Sequence, residues 1–350
     1  MPELTRRRLL AAAAGGIAGL AGCAAGSRES PPPATPADPN PESQSRYTDV
    51  YEATIESVAF VGDEQGGGGS GFVYDGFVVT NQHVIADLED VNVRFRRGEW
   101  RDAGVIATDV YADLAVLSTD IPDYAMSLPL VETVPPVGTE VLALGSPFGL
   151  ESSVSAGIIS GKNRSPNHPV TDFSIPNTVQ TDAGLEPGNS GGPVVTMDGD
   201  VTGIAVAGAG ANVGFAISPL LARRVLTELI QTGNYEHPYL GIQLIEVTPT
   251  VAEANDLDEA RGVLVVETAP DGPPDQTLRG ADGETVVGDQ LVPTGGDVIV
   301  GLAGSQVDSN ADLGTILALE LSPGDRTTAT VIRDGERQTI DVPIGSRPEP

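Results

Sequence analysis

A mainly β chain of two domains is predicted, and three observations predict it. From about residue 47 to 230, short apolar runs recur roughly every 8–12 residues between Gly, Asp and Pro, the signal of β-barrels. Pro219 to Ile230 reads as one helix closing this region, with Leu220, Leu221, Val225, Leu226 and Leu229 on a single face. A breaker cluster, Gly233-Asn234-Tyr235-Glu236-His237-Pro238, then separates it from a smaller second domain over 238–346.

Residues 1–23 read as an address rather than a fold. Thr5-Arg6-Arg7-Arg8-Leu9-Leu10 is a twin-arginine pattern, and a short Ala/Gly/Leu run follows it to Leu20-Ala21-Gly22-Cys23. That run is shorter than the roughly 20 apolar residues needed to span a bilayer. Leu-Ala-Gly-Cys resembles a lipobox, in which the cysteine becomes the lipidated first residue of the mature protein. The expectation is export by the twin-arginine route and a lipid at Cys23 on the outer face of the cytoplasmic membrane. Cys23 is the sole cysteine, so no disulfide forms within one chain. Residues 24–46 are rich in Pro, Ala and Ser, including Pro31-Pro32-Pro33, and are expected to form an extended tether.

Phe72-Val73-Tyr74 and Phe77-Val78-Val79 read as two strands turning at Asp75-Gly76. His83 follows the second, in Thr80-Asn81-Gln82-His83-Val84, where a buried strand would fix its ring for general-base work. Asp113 opens the apolar run Leu114-Ala115-Val116-Leu117. A carboxylate there is costly to bury without a partner, and an imidazole to orient would be that partner. Asp109 is a rival for this role, but it falls in a polar turn. Gly188-Asn189-Ser190-Gly191-Gly192-Pro193 sets a hydroxyl between glycines, which admit the turn that exposes a nucleophile. The amides of Gly188 and Ser190 would converge where an oxyanion forms.

This order of His83, Asp113 and Ser190, with its flanking residues, resembles the trypsin-like serine peptidases of the HtrA (Deg) family. Thr80 to Ile85 is similar to the family's histidine segment and Asp113 to Leu117 to its aspartate segment. Leu144-Gly145-Ser146-Pro147-Phe148-Gly149 and Val154 to Ser160 resemble its mid-domain hairpin. Gln180 to Pro187 leads into the nucleophile, and Val213 to Ser218 resembles the strand closing the substrate cleft. The resemblance implies a chymotrypsin-like double β-barrel over 47–232 and a catalytic triad of His83, Asp113 and Ser190. It also implies no cofactor or metal. Three histidines and one cysteine are in any case too few for a zinc site of ordinary spacing. His168, in a Pro/Asn-rich loop, and His237, in the linker, are expected to be solvated. Asp182 would shape the loop before Ser190, and with Ile204, Ala205 and Val206 it is expected to line the substrate pocket. The segment Ile204 to Gly210 is small and apolar and holds no acid, which predicts cleavage after Val or Ala and not after Lys or Arg.

In the second domain, Tyr239-Leu240-Gly241-Ile242 resembles the carboxylate-binding loop of PDZ domains. Amides of Leu240, Gly241 and Ile242 would meet a peptide C-terminus, and the strand at Ile242 would accept a peptide as an added strand. Gly262 to Val266, Gly296 to Val300 and a helix over Ala311 to Leu319 complete an α+β PDZ pattern over 238–346. Residues 271–295 depart from it, being longer and rich in Gly, Pro and acids; they are expected either to lack order or to narrow the groove. Tyr47 and Tyr51 leave two readings open, packing on their own barrel or helping to form the homotrimer that the resemblance implies.

Charge sets the surroundings. Asp and Glu number 49 against 19 Lys and Arg, a net charge of -30, and Lys162 is the only lysine. With 40% hydrophobic residues the chain still supports ordinary cores, so disorder is excluded as its general state. An acidic, lysine-poor surface fits high salt, where charges are screened within about 3 Å at 1 M, and suggests a halophilic archaeal source. Nucleic acid is excluded as a partner by the want of a basic patch. The resemblance implies an endopeptidase acting on unfolded or damaged exported proteins. Two alternatives are a peptide-binding or chaperone-like scaffold with little proteolysis, and an esterase using the same three residues.

Overall fold

The computed structural model describes residues 45–63, 67–98, 100–146, 153–169, 171, 173–208, 212–270, 272–273 and 277–349. The signal, Cys23 and residues 24–44 of the expected tether lie outside these residues; its last two, Ser45 and Arg46, are not extended tether but the cap and first residue of a helix. Helix α1 (Arg46–Thr54) opens the described chain, capped by the Ser45 side chain on the amide of Thr48. Tyr51 packs against the main core beneath the guanidinium of Arg96, while the Tyr47 hydroxyl donates to Glu140 at 2.6 Å.

A seven-stranded sheet follows, made of β1 (Val58–Gly62), β2 (Gly68–Tyr74), β3 (Phe77–Thr80), β4 (Asn92–Phe95), β5 (Arg101–Asp102), β6 (Gly104–Asp109) and β7 (Leu114–Ser118). Its order is β5-β4-β1-β2-β3-β7-β6. The β2–β3 turn falls at Asp75 and Gly76, both at positive φ (48° and 81°), as a tight two-residue hairpin demands. Helix α2 (Gln82–Ile85) leaves the end of β3.

The second sheet closes into a barrel in the order β10-β13-β12-β11-β8-β9. Its strands are β8 (Glu140–Gly145), β9 (Ser153–Arg164), β10 (Thr178–Thr181), β11 (Pro193–Thr196), β12 (Val201–Gly208) and β13 (Gly214–Ile217). Helix α3 (Pro219–Thr232) starts on a Ser218 cap with Pro at its first position and ends on Gly233 in the left-handed region. It buries Leu221, Ala222, Val225, Leu226 and Leu229 in a core shared with both sheets. Leu220, expected on that face, is only half-buried, because the true stripe is rotated toward Ala222.

The third part holds β14 (Pro238–Tyr239), β15 (Ile242–Glu246), α4 (Pro249–Ala254), β16 (Val263–Thr268), β17 (Gly283–Val287), β18 (Gln290–Thr294), β19 (Val298–Leu302), β20 (Ser305–Gln306), α5 (Asn310–Glu320), β21 (Arg326–Arg333), β22 (Glu336–Pro343) and β23 (Gly345–Ser346). Its main sheet runs β15-β16-β19-β21-β22, so β15 is an edge. The long segment before β19 forms a hairpin, β17–β18, whose Val292 packs with Val251 of α4. Over 283–294 the segment is a regular hairpin; Val292 is its buried contact with α4, Val286 and Leu291 stay exposed, and none of these residues lines the groove between β15 and α5. Helix α5 is also docked on the second barrel: Asn163 donates to Asp312 at 2.6 Å, and Arg224 caps the helix end by donating to the carbonyls of Leu319 and Leu321.

Candidate active site

β3 and β7 are hydrogen-bonded neighbours, with Thr80 opposite Ala115, so the residues flanking them meet at one end of the sheet. Asp113 stands just before β7 at φ 54°, in the left-handed region, and its carbonyl accepts from the Asn81 side chain at 2.9 Å. Its carboxylate is fully buried. Oδ2 faces His83 Nδ1 at 2.7 Å, and Oδ1 accepts the His83 backbone N–H at 3.0 Å. Burial pushes the Asp113 carboxyl up, but the facing His168 and the hydrogen bonds from His83 outweigh it and hold the group below the usual carboxylate range. An ionised Asp113 fixes the His83 proton on Nδ1 and leaves Nε2 as an acceptor.

Asp109 is occupied elsewhere. It ends β6 almost wholly buried, not in a polar turn; Oδ1 accepts the amide of Ala112 at 2.6 Å and Oδ2 pairs with His237 Nε2 at 2.7 Å. His237 is therefore not solvated, as its place in a linker suggested. It lies edge-on to Tyr111 and Tyr235, and its carbonyl accepts the amide of Arg347 at 2.9 Å, next to the pairing of β14 with β23. His168 is not solvated either: its side chain is 0% exposed, with Nε2 at 3.6 Å from Asp113 Oδ1. A loop rich in Pro and Asn gave no hint of this, since the contact depends on how β9 and β10 are joined.

The nucleophile candidate sits in a turn between glycines at φ 95° (Gly188) and 83° (Gly191). Ser70 of β2 clamps this turn: its N–H donates to the Ser190 carbonyl at 2.8 Å and its hydroxyl to the Gly188 carbonyl at 2.6 Å. The amide of Ser146 donates to the Ser70 hydroxyl in turn, at 2.9 Å. Ser70 thus ties the first sheet to the second at the site. Its sequence signal is the glycine run around it, since a Cβ on Gly69 would stand 2.7 Å from the Ser190 carbonyl. Among the described residues, the amides of Gly188 and Ser190 donate to no protein group outside regular elements. The Ser190 hydroxyl donates to the carbonyl of Val206 on β12.

The pocket residues are placed differently from expectation. Ile204 and Val206 turn into the main core and Ala205 into the interior of the second barrel, because a strand between two cores buries both its faces. What β12 presents to Ser190 is backbone. Asp182 accepts the amide of Ile158 at 2.7 Å, so its charge holds β9 to β10. Gly214 makes room for Leu185, whose side chain a Cβ there would meet at 2.7 Å.

In the third part, Leu240 is buried, Gly241 takes φ 68° and its carbonyl accepts from Ala269 at 2.7 Å; Ile242 then begins the edge strand. Ile242 and Leu244 of β15 and Ala311, Gly314 and Leu317 of α5 line a groove of about 1010 Å³, to which Lys162, Arg164 and Arg347 also contribute.

The pattern described as "Trypsin-like peptidase domain" matches residues 69–204, and that described as "PDZ domain" matches 238–344. A "Probable periplasmic serine endoprotease DegP-like" of Pseudomonas fulva is 36% identical over 292 residues, covering 80% of this chain and 56% of that protein. A protein of the same description from Hahella chejuensis is 34% identical over 288 residues, covering 80% and 57%. The chain spans somewhat more than half the length of these bacterial relatives. Among solved structures, "HtrA-type protease AlgW with tripeptide" is similar at a TM-score of 0.68 and 28% identity, covering 87% of this chain and 98% of that one. A serine endoprotease from Yersinia pestis follows at 0.60 and 27%, covering 86% and 98%.

Proposed function

Because the chain belongs to the HtrA family of trypsin-like serine proteases with a C-terminal PDZ domain, we propose that it is an exported, ATP-independent serine endopeptidase of protein quality control. The observation that carries this reading is the buried, ionised Asp113 holding His83 by 2.7 and 3.0 Å contacts, with Ser190 in a glycine turn. In the proposed reaction the Ser190 hydroxyl leaves the Val206 carbonyl and turns to His83. It attacks the scissile carbonyl as Nε2 takes its proton, and the imidazolium then returns that proton to the leaving amine. The amides of Gly188 and Ser190 receive the oxyanion. Water completes the cycle by releasing the acyl group from Ser190. Every step uses side chains and amides of this chain.

Substrates in this reading are unfolded or damaged proteins. The edge strand β15 and the loop at Leu240, Gly241 and Ile242 would take peptide C-termini by strand addition. Asp182 is committed to the Ile158 amide and Leu185 stands against Gly214, so neither of these described residues offers a free acid to a basic side chain. Cleavage is expected after small or medium aliphatic residues such as Val and Ala. Profiling with a peptide library tests activity and specificity together. A strong Lys or Arg preference overturns the pocket reading, and no cleavage of any peptide overturns the enzyme.

Twin-arginine export and a lipid on Cys23 complete the reading, placing the enzyme at the outer face of the membrane. The acidic surface makes salt part of its stability. At about 0.01 M salt the charges of a chain at -30 repel over roughly 30 Å, and the compact state loses stability. Folding and activity are expected to fall together below molar salt and to recover when salt is restored. Thermal unfolding from 0.1 to 3 M KCl measures this, and a flat melting temperature would remove the salt adaptation and the halophilic source with it.

A further inference from the structure

We propose that His168 is a positioning residue for the reaction: a second histidine set against Oδ1 of the Asp113 carboxylate, beside the His83 amide, while the His83 ring occupies Oδ2. The assignment comes from the hydrogen bonds of its own ring. His168 Nδ1 accepts the backbone N–H of Thr171 at 3.2 Å, which puts the proton of the neutral ring on Nε2. That Nε2–H faces Asp113 Oδ1 at 3.6 Å with both side chains fully buried. The gap is longer than a hydrogen bond, but between buried groups a dipole at this range still acts on the charge.

The ring is held from several sides. Its own amide donates to the Phe173 carbonyl at 2.8 Å, the Phe173 ring lies 5.5 Å away, and the His83 ring stands edge-on at 6.4 Å. Phe173 is packed in turn by Tyr111 and by the Arg347 guanidinium. Beyond them, His237 pairs with Asp109.

The consequence is chemical as well as steric. Oδ1 receives only the His83 amide from the histidine segment, so it has capacity for one more donor. A donor there draws charge away from Oδ2 and lowers the proton affinity of the Asp113–His83 pair. It also stops the carboxylate from rotating, which keeps Oδ2 on Nδ1. Removing the donor raises that proton affinity, so His83 protonates at higher pH and the acid limb of activity moves upward.

The proposal rests on the reading of His83, Asp113 and Ser190 as catalytic, and a fluorophosphonate probe on the unaltered protein reports that reading separately. The first test uses the unaltered protein and ¹⁵N spectra of its three histidines. His168 is expected as the neutral tautomer protonated on Nε2. A proton on Nδ1 instead would set a lone pair against the carboxylate and overturn the proposal.

The second test compares His168→Gln with His168→Met, side chains of matched length of which only glutamine donates. His168→Met is expected to lower kcat about tenfold with KM little changed, and to move the acid limb up by roughly half a unit. His168→Gln is expected to restore both, while Asp109, Tyr111, His237 and Arg347 are unaltered in either variant. Equal rates and equal acid limbs in the two folded variants would show a space-filling role alone and overturn the proposal. If either variant fails to fold, the tautomer in the unaltered protein decides.

Discussion

Replacing Ser190 by alanine is expected to lower peptide hydrolysis on the order of 10⁶-fold. In the proposed mechanism the loss is that large because the acyl intermediate is built on this hydroxyl. The amides of Gly188 and Ser190 survive the change, so slow hydrolysis above the rate in water should remain. Fold and assembly should not change. Among the described residues the Ser190 hydroxyl hydrogen-bonds the Val206 carbonyl, while the turn is held by Ser70 through the Ser190 and Gly188 carbonyls. Three readouts check this: turnover of an unfolded protein, labelling by a fluorophosphonate, and the melting temperature in molar salt. Full labelling of the alanine variant would place the nucleophile elsewhere.

Asp113→Asn is expected to cost roughly 10⁴ in turnover with the backbone in place. An amide can set its N–H₂ toward Nδ1 of His83, which moves the ring proton to Nε2 and leaves nothing to accept the serine proton. Asp109→Asn is the control. Asp109 meets His237 and the amide of Ala112, not His83, so breaking this buried pair should loosen the linker and lower stability, while turnover of the folded variant stays within about tenfold. A damaging Asp109→Asn beside a harmless Asp113→Asn would transfer the acid's role to Asp109.

Contacts inside one short segment were legible from the residues. The Asp75-Gly76 hairpin, the helix from Pro219 and the helix near Ala311 follow from local backbone preference and apolar period, and the structure has all three. The order of His83, Asp113 and Ser190 pointed to a site because chemistry selects residue types. Pairing of β3 with β7 is what brings the first two within 2.7 Å.

Side-chain direction on β12 was not legible. An apolar run beside a cleft reads as a pocket wall, yet strand alternation and two cores turn Ile204, Ala205 and Val206 inward. The hairpin over 283–294 was likewise hidden, because its partner is α4 and not its own sequence neighbours.

By itself the sequence determined the acidic charge, the strand-rich pattern, the order of His83, Asp113 and Ser190 and the glycines that let the Ser190 turn form. These depend on residue type and on neighbours a few positions apart. Only the tertiary structure decided that Asp109 serves His237, that Ser70 clamps the nucleophile turn across two sheets, and that a loop histidine reaches Asp113. Each of these joins segments some 55 to 130 residues apart, where the partner of a buried polar group is chosen by how strands pair and sheets pack.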